Sequence, residues 1–404
     1  MDSIVKLIHE DACGVLLYTG VKCENEKIKE TFEASQMAFF DETTGRIHIT
    51  EKLIDYCLEV APKKHNHPIP DRSFGGGGTA AYLRQADDNI KLINEIHTAE
   101  IFKIAEEFKI PFMFKACGKV EETDIDIMRK YYNGYIYTGV QIYKDHETTK
   151  RQISKLLNDK NICTAHTIII SPLSFMPSSL PNTDKLFMCL ENNLPIYLAT
   201  MPISCLTGPA TMYSLAVLAW AEFLAELCLC QLKMPGIMVI NGALPTAGDP
   251  RSKYQAALGS IFHNLCNYTI TRVANLFSLP TIQSGCTISG YDHQPNKKTY
   301  TDPETYNGFL LWNKLKDWHQ LRHCFGFVNI LTDFDIYKMR RDCVTLQEIQ
   351  KKNLEYQYEI EEVFYDPEAQ ESISQGVEFG FRNILHTTKH IGLLSEYLTE
   401  EEKI

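Results

Sequence analysis

MPISCLTGPATMYSLAVLAWAEFLAELCLCQLKMPGIMVINGALPTAGDPRSKYQAALGSIFHNLCNYTITRVANLFSLPTIQSGCTISG, residues 201–290, is the stretch whose reading decides the fold. It opens at a strand end, crosses a loop holding Gly208 and Pro209, and enters a long apolar helix. A strand at 237–241, a second loop, a second helix and a strand at 281–284 follow. Thr207 and Thr211 bracket Pro209 where the first helix should begin. Hydroxyl oxygens there can accept the orphan N–H groups of a first turn, and proline loses no donor in that position. Strand, helix, strand, helix, strand in this rhythm predicts parallel β/α units.

Working outward, further strands are expected at 111–116, 135–142, 162–170, 195–200 and 325–331. Amphipathic helical stretches lie between them at 89–108, 149–157, 182–191 and 306–318. The opening to about Pro62 reads as helical, and the acidic 345–404 segment as helices packed on the outside or on a neighbouring subunit. One domain is expected, with a helical extension over 1–62, the β/α body over 63–344 and the C-terminal helical segment over 345–404. A closed barrel and an open doubly wound sheet both satisfy this pattern.

With 404 residues, 44% of them hydrophobic, the chain can bury a large core. The net charge of −11 argues against a nucleic-acid partner, since phosphate binding needs a clustered positive surface. Thirteen cysteines form no zinc set: Cys228 and Cys230 sit in an apolar helix, and no second Cys/His pair completes them. No signal peptide and no apolar run of bilayer length are read, so free thiols in a reducing cytoplasm are expected, without a membrane. The run Gly75-Gly76-Gly77-Gly78 is no Walker loop, because no Gly-Lys-Ser/Thr follows it. It reads as a tight turn or flexible loop that would let a large ring approach the backbone.

Several segments in register resemble one family. They are the small-residue loop Cys205 to Thr211, Ala221-Glu222-Phe223-Leu224-Ala225, Gln231 to Gly236, Leu279-Pro280, Ile170-Ser171-Pro172-Leu173, and Asn383 to Thr387 followed by His390. Together they are similar to the trimethylamine methyltransferase family, corrinoid-dependent enzymes that demethylate trimethylamine and quaternary amines. The resemblance implies a TIM (β/α)8 barrel with N-terminal and C-terminal helical additions. It implies methyl transfer from an amine to the cobalt(I) of a corrinoid carried by a separate corrinoid protein, with no metal bound by the chain and a homo-oligomeric enzyme. Such chemistry asks for position more than for acid or base catalysis, so no catalytic residue is assigned.

Trimethylamine members carry pyrrolysine, whereas this chain is written in ordinary residues, so a quaternary amine such as glycine betaine is the expected substrate. The family's pattern after the sixth strand is replaced by Ser289-Gly290-Tyr291-Asp292-His293-Gln294. That change leaves a non-catalytic betaine-binding or regulatory homologue as the alternative. If the fold is a barrel, the loops after the strands build the site. Phe74, Tyr143, Phe175, Tyr213 and Tyr291 could then offer ring faces to a quaternary ammonium, which cannot be hydrogen-bonded. Asn241 is the candidate for a substrate carboxylate, with Thr207 and Thr211 at a helix N-terminus as alternatives. Gly75, Gly76, Gly77, Gly78 and His386 are the expected corrinoid contacts. Glu222, alone in an apolar helix, must find a cation or a backbone donor, or else face the cation site.

Overall fold

A computed structural model describes residues 2–66, 68–69, 73–78, 82–84, 90–115, 122–140, 146–248, 257–285, 303–315, 323–325, 333–357, 363–379 and 381. Eight strands run through them in chain order: β1 (Phe74–Gly78), β2 (Phe112–Lys115), β3 (Tyr135–Thr138), β4 (Ile162–His166), β5 (Ile196–Leu198), β6 (Val239–Asn241), β7 (Gln283–Gly285) and β8 (His323–Phe325). All of their ladders are parallel, and each strand from β1 to β5 pairs with the next. β8 pairs with both β7 and β1. A bridge from Asn241 to Thr281 brings β6 to the start of β7; the Asn241 N–H donates to Pro280 O and the Ile282 N–H to Asn241 O, each at 2.9 Å. A helix follows every strand, so the molecule is an α/β protein with a curled parallel sheet covered by helices.

The strands read as they do because both of their faces are buried. On the concave face Phe112, Phe114, Tyr135, Tyr137, Cys163, Tyr197, Ile240 and Ile282 form one cluster. Their alternating neighbours Met113, Ile136, Ile162, Ile196, Leu198 and Val239 join the larger core beneath the helices. β1 has the poorest intrinsic strand propensity of the eight, being Phe followed by four glycines, and its sequence suggested a turn. It is a strand because the concave face has no room for a side chain there: a Cβ on Gly75 would lie 1.8 Å from the Phe112 ring.

The N-terminal region is not all-helical as expected. Helices Asp2–Tyr18, Glu26–Ala34 and Glu51–Val60 enclose a small sheet containing Val21–Lys22 and the hairpin Ala38–Asp41 with Arg46–Ile49. Two short strands from the segment after β4, Ile169–Ile170 and Ser174–Phe175, complete that sheet. The run read as one strand over 162–170 therefore ends at His166 and resumes in a different sheet. Strands of two to four residues are too short for an alternating pattern to stand out.

The helix Met212–Lys233 starts, as expected, at an N-cap threonine, the Oγ1 of Thr211 accepting from the Ser214 N–H. By length and composition it could cross a bilayer, contrary to the sequence reading, but here protein encloses it almost completely. Asp2–Tyr18, Glu51–Val60 and Ala369–Phe379 all pack on it, which is why it shows no polar stripe. Between β1 and its helix Glu95–Glu107 a hairpin, Tyr82–Arg84 with Ile90–Leu92, extends a second small sheet whose third strand is Asp333–Phe334.

Candidate functional site

The C-terminal ends of the strands are where a parallel β/α sheet presents its loops, and the concave face beneath them is aromatic. Phe114 and Tyr137 stack with ring centroids 4.4 Å apart and an interplanar angle of 11°. Tyr197 meets both edge-on, at 4.9 Å and 5.5 Å. Below them Phe112 and Tyr135 fill the end nearer the strand starts, each within about 6 Å of Tyr137. The upper rings lean toward residues with no side chain: a Cβ on Gly242 would lie 2.1 Å from Tyr197 Cζ. The result is a layer of ring faces and edges near the strand ends.

The loops after β5 and β6 are sewn together there. Ser204 N–H donates to Thr246 O, Thr246 N–H to Pro202 O, and Leu244 N–H to Thr200 O, at 2.7–3.1 Å. Behind them, between sheet and helices, polar groups are buried. Asn241 Oδ1 accepts from the Ala243 N–H at 2.9 Å, while its Nδ2 has no partner among the described residues. Asn267 Nδ2 donates to Pro245 O at 3.1 Å and to His263 O at 2.7 Å. Burial pushes the His263 imidazole down to about 4, and that of His166, at the end of β4, down to about 3.

Glu222 meets backbone and hydroxyl donors, one of the two outcomes expected for it: Leu173 N–H donates to one oxygen at 3.0 Å and Ser171 Oγ–H to the other at 2.8 Å. Burial still raises its carboxyl to about 7, against those two bonds. Glu226, one turn on, accepts from the Ile168 N–H at 3.2 Å, and burial raises its carboxyl well above the ordinary value. Both acids grip the segment that leaves β4 for the N-terminal sheet.

The structure scatters the residues singled out from sequence. Phe74 starts β1 on the outer side, packed on Phe309 and Trp312. Phe175 lies in the N-terminal sheet against Phe32. Tyr213 is buried with its hydroxyl donating to Asp11 at 2.6 Å. Thr207 Oγ1 accepts from the Ile203 N–H, and Thr211 Oγ1 donates to Asp366 at 3.0 Å. Thr207 and Thr211 do stand in the segment after β5, and Asn241 is the last residue of β6. Gly75 to Gly78 form β1 itself, and Tyr143, Tyr291 and His386 lie outside the described residues. Sequence reasoning missed Phe114, Tyr137 and Tyr197. The signal was present as Phe-Met-Phe and Tyr-Ile-Tyr, alternations that set two rings of each strand on one face.

Among the described residues no group of three His, Cys, Asp or Glu side chains could hold a metal ion. The rings form a buried aromatic cluster, and among the described residues no acid–base pair stands beside it, which suits the binding and orientation of a ligand more than proton transfer. No protein-family model matches the chain. Curated relatives do. An L-carnitine:corrinoid methyltransferase of Eubacterium limosum is 24% identical over 315 residues, covering 70% of this chain and 63% of the relative. A proline betaine:corrinoid methyltransferase of the same organism is 23% identical, covering 71% and 64%. Trimethylamine methyltransferase MttB1 of Methanosarcina acetivorans is 23% identical, covering 70% and 62%. By sequence, therefore, the chain is similar to corrinoid-dependent methyltransferases of methylated amines, and it spans just under two thirds of the length of these relatives. A truncated 3-deoxy-D-arabino-heptulosonate 7-phosphate synthase of Thermotoga maritima matches it in structure with a TM-score of 0.39 at 8% identity, over 74% of this chain and 99% of that one.

Proposed function

We propose that the chain is a (β/α)8-barrel methyltransferase that moves a methyl group from a quaternary amine to the cobalt of a corrinoid carried by a separate protein, in the cytoplasm. The relatives' names support the reaction class, since three substrates among them are methylated amines and two of these are quaternary. The eight parallel strands in chain order, with the Asn241–Thr281 bridge joining β6 to β7, support the barrel. The observation that carries the substrate reading is the ring layer of Phe114, Tyr137 and Tyr197. A quaternary nitrogen has no N–H to donate, so a ring face is the natural partner for its charge, contributing about 0.5–2 kcal/mol per contact. A zwitterionic betaine also needs its carboxylate held, and the Thr207 hydroxyl in the segment after β5 is the candidate donor near these strand ends, since Asn241 turns beneath the helices and the Thr211 hydroxyl donates to Asp366.

The corrinoid, when presented, supplies a cobalt nucleophile. This chain's own part is to seat the amine with one methyl group facing the mouth and to exclude water from the ring layer. The leaving group is a neutral amine, so no proton need move at the site. The rings of Phe114, Tyr137 and Tyr197 would favour the cationic substrate over that neutral product, because only the former is drawn to the ring quadrupole.

Purified chain, a reduced corrinoid protein and a panel of L-carnitine, proline betaine, glycine betaine and trimethylamine make the test, with the demethylated amine as readout. Turnover of a quaternary member above trimethylamine is the expected result. Binding of a betaine without turnover would instead mark a non-catalytic homologue, and turnover of trimethylamine alone would overturn the substrate reading.

A further inference from the structure

Tyr82 and Leu92 are register partners in the hairpin between β1 and helix Glu95–Glu107, so their side chains share one face of the ribbon. They are 45% and 65% exposed, and Ile96, in the first turn of the helix, is 74% exposed. Leu83, which follows Tyr82 and pairs with Lys91, turns the other way and is buried. Three large apolar side chains are thus presented to solvent at one corner of the fold, where a soluble protein ordinarily places charge. The strand Ile90–Leu92 is also an edge: in the order Asp333–Phe334, Tyr82–Arg84, Ile90–Leu92 it pairs on one side only among the described residues.

Topology fixes where this corner lies. The hairpin occupies the connection that leaves the C-terminal end of β1, and Asp333–Phe334 the connection that leaves the C-terminal end of β8. These two strands are neighbours in the main sheet, and the helices that follow them are capped by Asn94 and Asp335, immediately after the small sheet. The small sheet therefore stands on the rim of the same end of the fold that holds the aromatic layer. A methyl acceptor that is a macrocycle on a protein can reach that layer only across the rim.

We propose that the face formed by Tyr82, Leu92 and Ile96 is where the corrinoid-carrying protein docks. The proposal rests on the methyl-transfer reading above. Apolar anchors at a rim suit a partner that must bind, deliver its cofactor to the mouth and leave, since a few contacts of this kind dominate the affinity of transient complexes.

The test uses two acceptors for the same reaction: free cob(I)alamin, which needs no docking, and a reduced corrinoid protein that accepts methyl groups from the wild-type chain. In the double variant Leu92→Asp with Ile96→Asp, the KM for the corrinoid protein should rise about tenfold or more, the equivalent of roughly 1.4 kcal/mol. The rate with free cob(I)alamin, the KM for the amine and the far-UV circular dichroism should stay as in the parent. The milder pair Leu92→Met with Ile96→Val should behave as wild type. An unchanged KM for the corrinoid protein overturns the proposal. So does an equal fall with both acceptors, which would make the hairpin part of the amine site, or an unchanged KM with an altered sedimentation coefficient, which would make the face a contact between copies of this chain. Failure of the wild-type chain to methylate either acceptor would instead remove the methyl-transfer reading itself, and the docking face with it.

Discussion

The two faces of the eight-stranded sheet solve the problem of burial in opposite ways. The concave face is filled by rings against glycines, with Phe112 over Gly75 and Tyr197 over Gly242. The outer face, under the helices, holds the polar and titratable groups: His166 and Asn241 at strand ends, and Glu222, Glu226, His263 and Asn267 on the helices. Shape governs the first face and charge the second. Substitutions on the concave face should therefore act through volume at every pH, whereas those on the outer face should act through the pH dependence of stability.

The largest effect should come from Gly75→Ala. A methyl group placed 1.8 Å from the Phe112 ring must displace either the ring or β1, at about 3 kcal/mol or more. Urea denaturation measures it, and the loss should be independent of pH. Adding Phe112→Leu should recover part of it, because the two changes share one space. A loss below about 0.5 kcal/mol would show slack on the concave face and break the contrast.

On the outer face His263→Gln should be next. The imidazole is held down to about 4 by burial, against an ordinary value of 6.5. The unfolded chain therefore binds more protons than the folded one between those values, and stability falls as pH drops through that window, by up to about 3 kcal/mol from this group. Glutamine removes the proton site, so the variant should lose less stability than the parent between pH 7 and pH 4 in parallel denaturation series. Identical pH slopes for the two proteins would mean that His263 meets water.

Glu222→Gln should move the other flank, by a similar amount, up to about 3 kcal/mol. Here the folded value is raised by burial, from 4.5 to about 7, so the folded chain holds the extra proton and stability falls as pH rises from 4.5 through 7. The glutamine variant should lack this fall, so that the opposing His263 slope shows below pH 6.5, and it should gain on the parent above pH 7. Its amide can still accept from the Leu173 N–H, which keeps the segment after β4 in place. Since the two slopes oppose each other between pH 4.5 and 6.5, the parent should look less pH-sensitive than either variant. A parent steeper than both would show that another group dominates.

The same contrast explains what could be read from the chain alone. The strand–helix rhythm of 201–290 was legible because its elements are apolar and bounded by Gly or Pro, with Thr211 capping the first helix. β1 was not, because its four glycines carry no strand propensity, and what holds them extended is a ring on a strand 37 residues away. The site suffered likewise. Rings were chosen by nearness to loops, but the alternation of a strand decides which ring faces inward, and that sent Phe74 outward while Phe114 and Tyr137 turned in. Tyr213 looked available beside a loop, yet its hydroxyl is taken by Asp11, from the opening helix, a pairing that local sequence does not reveal.

Tyr197 is where shape and ligand binding should separate, and its conservative variant carries the smallest expected effect. Its hydroxyl lies 3.4 Å from Ile282 O, a long bond, whereas its ring meets Phe114 and Tyr137 edge-on in the layer proposed to face the ammonium. Tyr197→Phe keeps the ring and should cost about 0.5 kcal/mol of stability with amine binding unchanged. Tyr197→Ala removes the ring face and should weaken binding of a quaternary amine by about 1–2 kcal/mol beyond its effect on stability, read by calorimetry on the folded variant. A neutral isostere with carbon in place of the quaternary nitrogen should lose less affinity than the cation in the same variant, since it engages the ring without a charge. Equal losses for cation and neutral isostere would mean that Tyr197 serves packing alone, leaving the concave face a matter of shape with no part in recognising charge.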